Sequence, residues 1–337
     1  MLRARDLYWD TLKLVLIFCV VYGHIVQPYR DGSQMNMTMF NFIYSFHMPL
    51  FVFISGRFSQ FTDLERFKRG IFRIVETLII FHFLRCSIQL LQGEGIHLSM
   101  FTTPSFVLWY LAALIYWRIL VLIVPEKLKN SPKQMIAVSV IISLLAPFIP
   151  GTLGKHFVVE RSMTFLPFFV LGYYSTGIDI KRLTTKISHT ISIVYLLALF
   201  ICLYMSLQYY NVNTATVVHY SFCYWTGSFL EFVEKFGIRC LYIPLAIVTG
   251  FMVMSIVPVW KFVDKLGGVI SMFIYVYHMF VVDFLKYGVQ HSFFPSNELF
   301  LLLYTIASFI LMLCLSRFKI MVILLNPISY LASKYKR

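Results

Sequence analysis

Long apolar segments recur along the whole of this 337-residue chain, and they limit its possible folds more than any other feature. About twenty apolar residues suffice for a helix to cross a bilayer. Backbone amides in lipid must bond to one another, so segments of this kind form helices. In this chain 59% of residues are hydrophobic and 13% are charged, whereas soluble domains carry about 25% charged residues. The sequence therefore predicts an all-α fold, a polytopic membrane helix bundle.

Ten such segments can be recognised, and no polar stretch between them is long enough to form a soluble domain. The predicted spans are 10–28, 39–57, 71–91, 105–124, 134–150, 163–176, 189–209, 239–258, 268–287 and 298–316. We predict a single integral-membrane domain over residues 1–337. No small-residue cleavage site follows the first apolar segment, so we expect this segment to remain as a span.

The distribution of Lys and Arg residues orients the predicted spans. With the N-terminus inside, 21 of the 29 basic residues fall on the cytoplasmic side and six fall outside. The other two, Arg85 and Arg118, lie within spans. Cytoplasmic loops of membrane proteins carry this excess, which explains most of the net charge of +14 without a nucleic-acid partner. Both termini are therefore predicted to be cytoplasmic.

Two weaker patterns concern an outer segment and metals. The stretch 211–238 carries Tyr220, Phe222, Tyr224 and Trp225, which indicates a short interfacial or re-entrant piece. The six cysteines are scattered without a Cys-x-x-Cys pair, and no zinc-ligand spacing is present. We therefore predict no metal site.

Four polar residues share one face of the first apolar segment. Lys13 and His24 are eleven residues apart, and at about 100° per residue eleven steps return to within roughly 20° of one direction. Asp6 and Asp10 fall on the same stripe. Ionisable groups within a membrane are functional candidates by default. We predict His24 as a general base, with Lys13 and Asp10 in the same catalytic site; the alternative is a snorkelling Lys13 and a His24 that only bonds another helix.

A second histidine, His47, lies in the next span at a depth comparable to that of His24. Pro49 frees a backbone carbonyl and bends the helix, which suits a cavity wall. We predict that His47 meets His24 and assists the same proton transfer. A purely structural hydrogen bond explains His47 equally well.

Three arginines share a face at the inner end of the third span, because Arg66, Arg69 and Arg73 follow at three- and four-residue spacing. Guanidinium groups match phosphate oxygens, so these residues are candidates for binding a phosphate-rich cytoplasmic donor. Ordinary anchoring by positive charge, or contact with lipid headgroups, is the alternative.

Three further residues are candidates for binding a polar acceptor: Trp109 at the outer start of span four, Arg161 before span six and His278 in the middle of span nine. An aromatic belt and structural charge pairing are the alternatives for the first two. No motif for a protein nucleophile is present. We therefore predict direct attack by an acceptor hydroxyl on an activated donor, without a covalent enzyme intermediate.

Several motifs together resemble acyltransferase family three, a family of integral-membrane O-acyltransferases. Within it, the motifs indicate the fucose-4-O-acetylase-like group, which acetylates surface glycans. The motifs are Asp6–Lys13 with His24, Phe46–Gly56, the basic cluster before span three, Leu108–Leu111, Phe165–Tyr174 and Tyr275–His278. They follow the family's order over most of the chain.

The resemblance implies acetyl-CoA as the cytoplasmic acyl donor, a co-substrate used without a metal, and a sugar hydroxyl as the acceptor. The family's motif of a basic residue, ten residues and a histidine maps onto Lys13 and His24. Its Arg-x-x-Arg motif maps onto Arg66 and Arg69 or, shifted, onto Arg69 and Arg73. These arginines are therefore expected to bind the phosphates of coenzyme A.

We predict a multi-pass O-acetyltransferase of the bacterial inner membrane that acts on a cell-surface sugar, a polysaccharide or its lipid-linked precursor. Its expected partners are that glycan or lipid-linked sugar and membrane lipids; association into a homo-oligomer stays open. The alternative is a proton-coupled transporter or flippase of a polar or lipid-linked solute, because buried His and Lys also serve proton transport. The absence of an inverted repeat counts against it.

Overall fold

A computed structural model describes residues 6–61, 63–91, 93, 95, 102–104, 107–149, 156–210 and 228–335. These described residues form helices and no strand, so the predicted all-α fold is confirmed. The principal helices are α1 (Leu7–Val26), α2 (Gln34–Tyr44), α3 (His47–Arg57), α4 (Leu64–Leu91), α5 (Trp109–Ile123), α6 (Pro132–Leu145), α7 (Val159–Tyr174), α8 (His189–Tyr210), α9 (Phe229–Ile256), α10 (Ile270–Gln290), α11 (Glu298–Leu315) and α12 (Pro327–Tyr335). Shorter α-helices span Glu126–Lys129, Ile180–Thr184 and Lys319–Ile323.

A helix or a pair of helices occupies each of the ten predicted spans. Seven helical segments of the described chain are long and apolar enough to cross a membrane, which identifies an integral membrane protein. These segments are Leu7–Gly32, Gln34–Arg57, Leu64–Leu91, His189–Gln208, Phe232–Ile256, Ile270–Gln290 and Glu298–Leu315. Helices α5 and α6 are apolar but shorter. The cytoplasmic location of both termini stays a prediction.

The second predicted span is two helices rather than one. Helix α2 ends at Tyr44 and α3 begins at His47, so Pro49 lies in the first turn of α3, where its missing N–H removes no helical bond. Part of the weak segment 211–238 is also helical, because α9 begins at Phe229. The interfacial residues Tyr220, Phe222, Tyr224 and Trp225 lie outside the described residues.

The chain divides into two compact units, each assembled from segments that are distant in sequence. The first unit comprises Met1–Ile54, Gly177–His219 and Ile238–Cys314. The second comprises Ser55–Thr176, Tyr220–Gly237 and Leu315–Arg337. The single domain over residues 1–337 stays a prediction.

Side-chain caps explain where several helices begin. The Asp6 carboxylate accepts a hydrogen bond from the Tyr8 amide at 3.0 Å, and the Ser33 hydroxyl accepts one from the Asn36 amide at 3.4 Å. Asp63 accepts from the Arg66 amide at 2.7 Å. Short polar side chains satisfy the amides of a first helical turn that lack a partner within the helix.

In the first unit, α1 packs against α2 and α10 and is the central helix for the candidate site. Its Leu12 and Leu16 side chains are fully buried. The Tyr8 hydroxyl donates to the Met254 carbonyl at 2.7 Å, and the Thr11 hydroxyl accepts from the Trp260 amide at 3.1 Å. These bonds attach the first turns of α1 to α9 and to the loop that follows it.

In the second unit, the end of α3 approaches α7 so closely that only glycine fits at position 56. A Cβ atom on Gly56 would lie 2.0 Å from the Phe169 carbonyl oxygen and 2.9 Å from the Tyr173 nitrogen. Arg57 then donates to the Ser175 hydroxyl at 3.1 Å, which holds the two chain segments together just beyond the contact. The Ser55-Gly56 pair therefore has a packing role.

Glu76, in the middle of α4, binds the start of the last helix. This buried carboxylate accepts hydrogen bonds from the Ile328 amide, from the Ser329 amide at 3.1 Å and from the Ser329 hydroxyl at 2.6 Å. Next to it, the Thr77 hydroxyl donates to the Leu325 carbonyl at 2.8 Å. A carboxylate at a helix N-terminus is favourable because it satisfies free amides and faces the positive end of the helix dipole.

We expect Gly56→Ala to lower the free energy of unfolding by about 1–3 kcal/mol or more, because the methyl group meets backbone atoms that cannot rotate away. Thermal unfolding of the purified protein, followed by tryptophan fluorescence, measures this. Gly237→Ala is the matched control, since a Cβ at this helical glycine would meet nothing within 4 Å. Equal unfolding midpoints for the two variants would contradict the close approach of α3 and α7.

We expect Glu76→Ala to release α12 from α4, because it leaves two amides and a hydroxyl without their acceptor. Losing the partner of a buried polar group costs about 1–3 kcal/mol. Limited proteolysis that reports cleavage after residue 315 measures the release. The control Glu65→Ala removes an exposed carboxylate from the same helix, whose only described ionic partner is Lys68 at 3.1 Å, and should leave cleavage unchanged. Equal cleavage of both variants would rule out the proposed attachment.

Candidate functional site

The polar face predicted for α1 is present at its first turns. Lys13 Nζ lies 2.6 Å from Asp10 Oδ1, and the two side chains are 24% and 13% exposed. Asp6 lies on the same stripe but caps the helix, as described above. The Lys13–Asp10 ion pair is therefore a local charged group at the start of α1, at the end that we predict to be cytoplasmic.

His24 lies near the other end of α1, about 16 Å further along the axis at about 1.5 Å per residue. Its Nδ1 lies 3.2 Å from Gln27 Oε1, an oxygen that is also 3.5 Å from the Tyr44 hydroxyl. The hydrogen bond between the imidazole and the Gln27 amide orients the His24 ring. Gln27 and Tyr44 were not among the predicted site residues. The three-residue spacing between His24 and Gln27 could have indicated their contact from the sequence, whereas no sequence pattern indicates Tyr44.

His278 stacks against His24. The two ring centroids are 5.4 Å apart and the ring planes differ by 29°. His278 is fully buried on α10, and its Nδ1 donates to the Ile274 carbonyl at 3.1 Å. Its Nε2 is buried and has no hydrogen-bond partner among the described residues. The structure thus brings together two predicted residues, His24 and His278.

His47 belongs to the same region of the first unit. Its ring lies edge-on to Tyr44, with centroids 4.6 Å apart, and its Nδ1 donates to the Ile43 carbonyl at 2.8 Å. Tyr44 in turn approaches α1 at Gly23, where a Cβ atom would lie 2.9 Å from the Tyr44 ring. Tyr44 therefore connects His47 with Gln27 and, through it, with His24. A direct contact of His47 with His24 stays a prediction.

Two other predicted residues come together in the second unit. The Arg161 guanidinium lies over the Trp109 ring, 5.3 Å from its centroid, and Phe165 packs 5.3 Å from the same ring. Trp109 is only 9% exposed, so it is a packed residue of the unit. Beside it, Tyr110 and Ser55 share a hydrogen bond between their hydroxyls. The two predicted acceptor-binding residues therefore form a cation–π contact with each other.

The arginine cluster lies on the first turns of α4, on an exposed face. Arg66 Nε is 3.3 Å from Asp63 Oδ2, and its side chain is 68% exposed. Arg69 and Arg73 are also exposed. The predicted shared face is therefore present, and it is open to a ligand or to lipid headgroups.

No group of three or more His, Cys, Asp or Glu residues in the described part of the chain could hold a metal ion.

Comparison with known proteins identifies the class to which this site belongs. The family model Acyl_transf_3, described as an acyltransferase domain, matches residues 6–317. The chain belongs to this acyltransferase family. It is a membrane protein of this family, and the resemblance seen in the sequence motifs is confirmed.

The chain is also similar to the nodulation protein NolL of Sinorhizobium fredii (strain NBRC 101917 / NGR234). The two are 42% identical over 64 residues, which is 18% of this chain and 18% of NolL. The match thus spans less than a fifth of that relative's length. No solved structure matches the chain.

The buried, unpartnered Nε2 of His278 leads to a prediction about stability. We expect His278→Phe to unfold at the same temperature as wild type or higher, because Phe keeps a ring against His24 and removes a buried acceptor without a partner. The control is His291→Phe at the C-cap of the same helix. This variant loses the same kind of bond, from Nδ1 to the Tyr287 carbonyl at 2.9 Å, at an exposed position. A lower unfolding midpoint for His278→Phe than for His291→Phe would show that His278 Nε2 has a hydrogen-bond partner.

Proposed function

We propose that this membrane acyltransferase moves an acetyl group from acetyl-CoA to a hydroxyl of a cell-surface sugar, a polysaccharide or its lipid-linked precursor. The observation that carries the proposal is the environment of His24. Its Nδ1 is bonded to Gln27 and its ring is stacked on His278, so the imidazole is held in one orientation. A neutral imidazole near pH 7 is the side chain best suited to take a hydroxyl proton.

The transfer needs one proton acceptor and no protein nucleophile. The acceptor hydroxyl gives its proton to His24 Nε2 while its oxygen attacks the thioester carbonyl of acetyl-CoA. A C–O bond forms, the C–S bond breaks, and the sulfur of coenzyme A leaves with the proton that His24 returns. Gln27 orients the imidazole through its contact with Nδ1, which is the role of the orienting partner in acid–base catalysis.

Lys13 and Asp10 act at a different point along α1. About 16 Å separates Lys13 from His24 along the helix axis, so the ammonium group does not reach the imidazole. Paired with Asp10 at 2.6 Å, it can contact the donor's polar arm. We assign His47 to the support of the His24 region, because Tyr44 contacts both His47 and Gln27.

We assign the remaining candidate residues either to the acyl donor or to the sugar acceptor. Exposed Arg66, Arg69 and Arg73 suit the phosphates of coenzyme A at the cytoplasmic face, since guanidinium forks bind phosphate oxygens. The Trp109–Arg161 pair suits the acceptor sugar. With the bacterial inner membrane as the location, donor and acceptor reach the protein from the cytoplasm and from the membrane or its outer surface.

We expect His24→Gln to lower acetyl transfer by about 10²–10⁴-fold, the usual contribution of a general base. The assay follows radiolabel from acetyl-CoA into glycan in membranes that contain equal amounts of each variant. His189→Gln, at an exposed histidine that starts α8, is the control and should retain wild-type transfer. Wild-type transfer by His24→Gln would remove the catalytic role. Proton-driven uptake of solute into vesicles without coenzyme A would favour a transporter.

A further inference from the structure

A cavity of about 260 Å³ lies in the second unit, beside the start of α4 and the last turns of α5. Two cations line it, Arg118 and Lys129, together with the hydroxyl residues Ser59 and Tyr173. Asp63 also reaches its wall, but this carboxylate already accepts from the Arg66 amide at 2.7 Å and pairs with the Arg66 guanidinium. The net charge that the wall offers is therefore positive.

Arg118 is an unusual residue for its position. It lies within the apolar helix α5 and is partly buried, yet no carboxylate pairs with it among the described residues. Its Nε donates to the Ser59 hydroxyl at 3.2 Å, and its guanidinium lies over the Phe61 ring at 5.4 Å. These two contacts fix the position of the Arg118 guanidinium and leave its remaining N–H donors for a ligand. An ionisable group kept in an apolar helix without a counter-ion indicates function.

Lys129 supplies a second cation at the same wall. Its ammonium lies 3.7 Å from Glu126, a carboxylate that is 77% exposed, while Lys129 itself is 27% exposed. An exposed pair of this kind is weak, so the ammonium is available to a stronger anion. The Tyr174 hydroxyl donates to the Lys129 carbonyl at 2.6 Å, which fixes the backbone at the last residue of the short helix Glu126–Lys129.

We propose that this cavity binds the phosphate of an organic phosphate, with Arg118 as the bidentate ligand and Lys129 as the second cation. A phosphate fits the fork geometry of Arg118. Ser59 fixes this fork, because its hydroxyl accepts from Arg118 Nε and donates to the Ser55 carbonyl at 2.7 Å. The remaining wall is apolar and aromatic, with Phe61 and Phe67 packed 4.9 Å apart, so the rest of the ligand carries a flat or apolar group. We assign this ligand as the phosphate-bearing nucleotide part of coenzyme A, and this assignment rests on the proposed function.

This site complements the arginine cluster on α4. Asp63 lies at the cavity wall and also pairs with Arg66, so the two cationic groups adjoin at the start of α4. Arg66 is 68% exposed and in contact with a carboxylate, whereas Arg118 is partly buried and has none. Removing a charge from water strengthens its interaction with an anion, so Arg118 is expected to contribute more to donor binding than Arg66.

The test measures binding to the purified full chain in phosphatidylcholine nanodiscs, with coenzyme A, its 3′-dephospho form and inorganic pyrophosphate as probes. We expect Arg118→Gln to raise the Kd of coenzyme A by about tenfold or more. Arg118→Lys, which keeps the charge and loses the fork, should have an intermediate Kd and guards against a folding defect. Arg182→Gln, at an exposed arginine, is the control and should bind like wild type.

A Kd for coenzyme A within twofold of wild type in Arg118→Gln would overturn the proposal. A second arm replaces part of the phosphatidylcholine by phosphatidylglycerol. If this anionic lipid stabilises the wild type but not Arg118→Gln while coenzyme A binding is unchanged, the phosphate belongs to a lipid headgroup and the coenzyme A assignment is wrong. Binding needs no turnover, so a wild-type protein that binds coenzyme A but transfers no acetyl group would refute the proposed function alone.

Discussion

Side-chain polar groups within these apolar helices bond to the protein itself, because lipid offers them no partner. Several do so locally: the hydroxyls of Thr11, Thr38 and Thr305 each donate to the backbone carbonyl four residues earlier at 2.8 Å. Other side-chain polar groups bond between helices, as the Ser143 hydroxyl does to the Thr164 carbonyl at 2.8 Å. The bond from the Tyr8 hydroxyl to the Met254 carbonyl, which joins α1 to α9, is another such contact.

The same local bond has a chemical consequence when the side chain is an imidazole. His47 and His278 each donate Nδ1–H to the carbonyl four residues earlier. This bond selects the tautomer and turns Nε2 away from the histidine's own helix. In His278 that atom is buried beside His24 without a partner, which costs stability. Groups that cost stability and persist are typical of functional sites, and a membrane acyltransferase needs a dry, oriented base.

The sequence was sufficient for features that depend on local periodicity. The length of the apolar segments predicted a helix at each of the ten spans. Helical periodicity predicted that Asp10 and Lys13 share one face of α1. Boundaries were less accurate where charges interrupt the apolar pattern: α9 begins at Phe229, ten residues before the predicted span, because Glu234 and Lys235 lower the local hydropathy although they do not stop a helix.

Contacts between distant helices could not be predicted in the same way. His24 and His278 are 254 residues apart, and no periodicity indicates which turn of α10 faces α1. Arg118 was visible as a charge within a span, but its cavity depends on Ser59 and Phe61 from a loop near α4. Motifs that resemble a family can identify such residues one by one. The structure shows which of these residues contact each other.

The bond between Glu76 and the last helix bears on how the chain is made. The partners of this carboxylate follow it by 252 and 253 residues. At about 5–20 residues per second of synthesis, they arrive roughly 13–50 seconds after Glu76 leaves the ribosome. For that time α4 holds a carboxylate without its final hydrogen-bond partners. Synthesis of α12 is thus the step that supplies these partners, and a ribosome that stalls before Pro327 leaves a chain in which the Glu76 carboxylate lacks them.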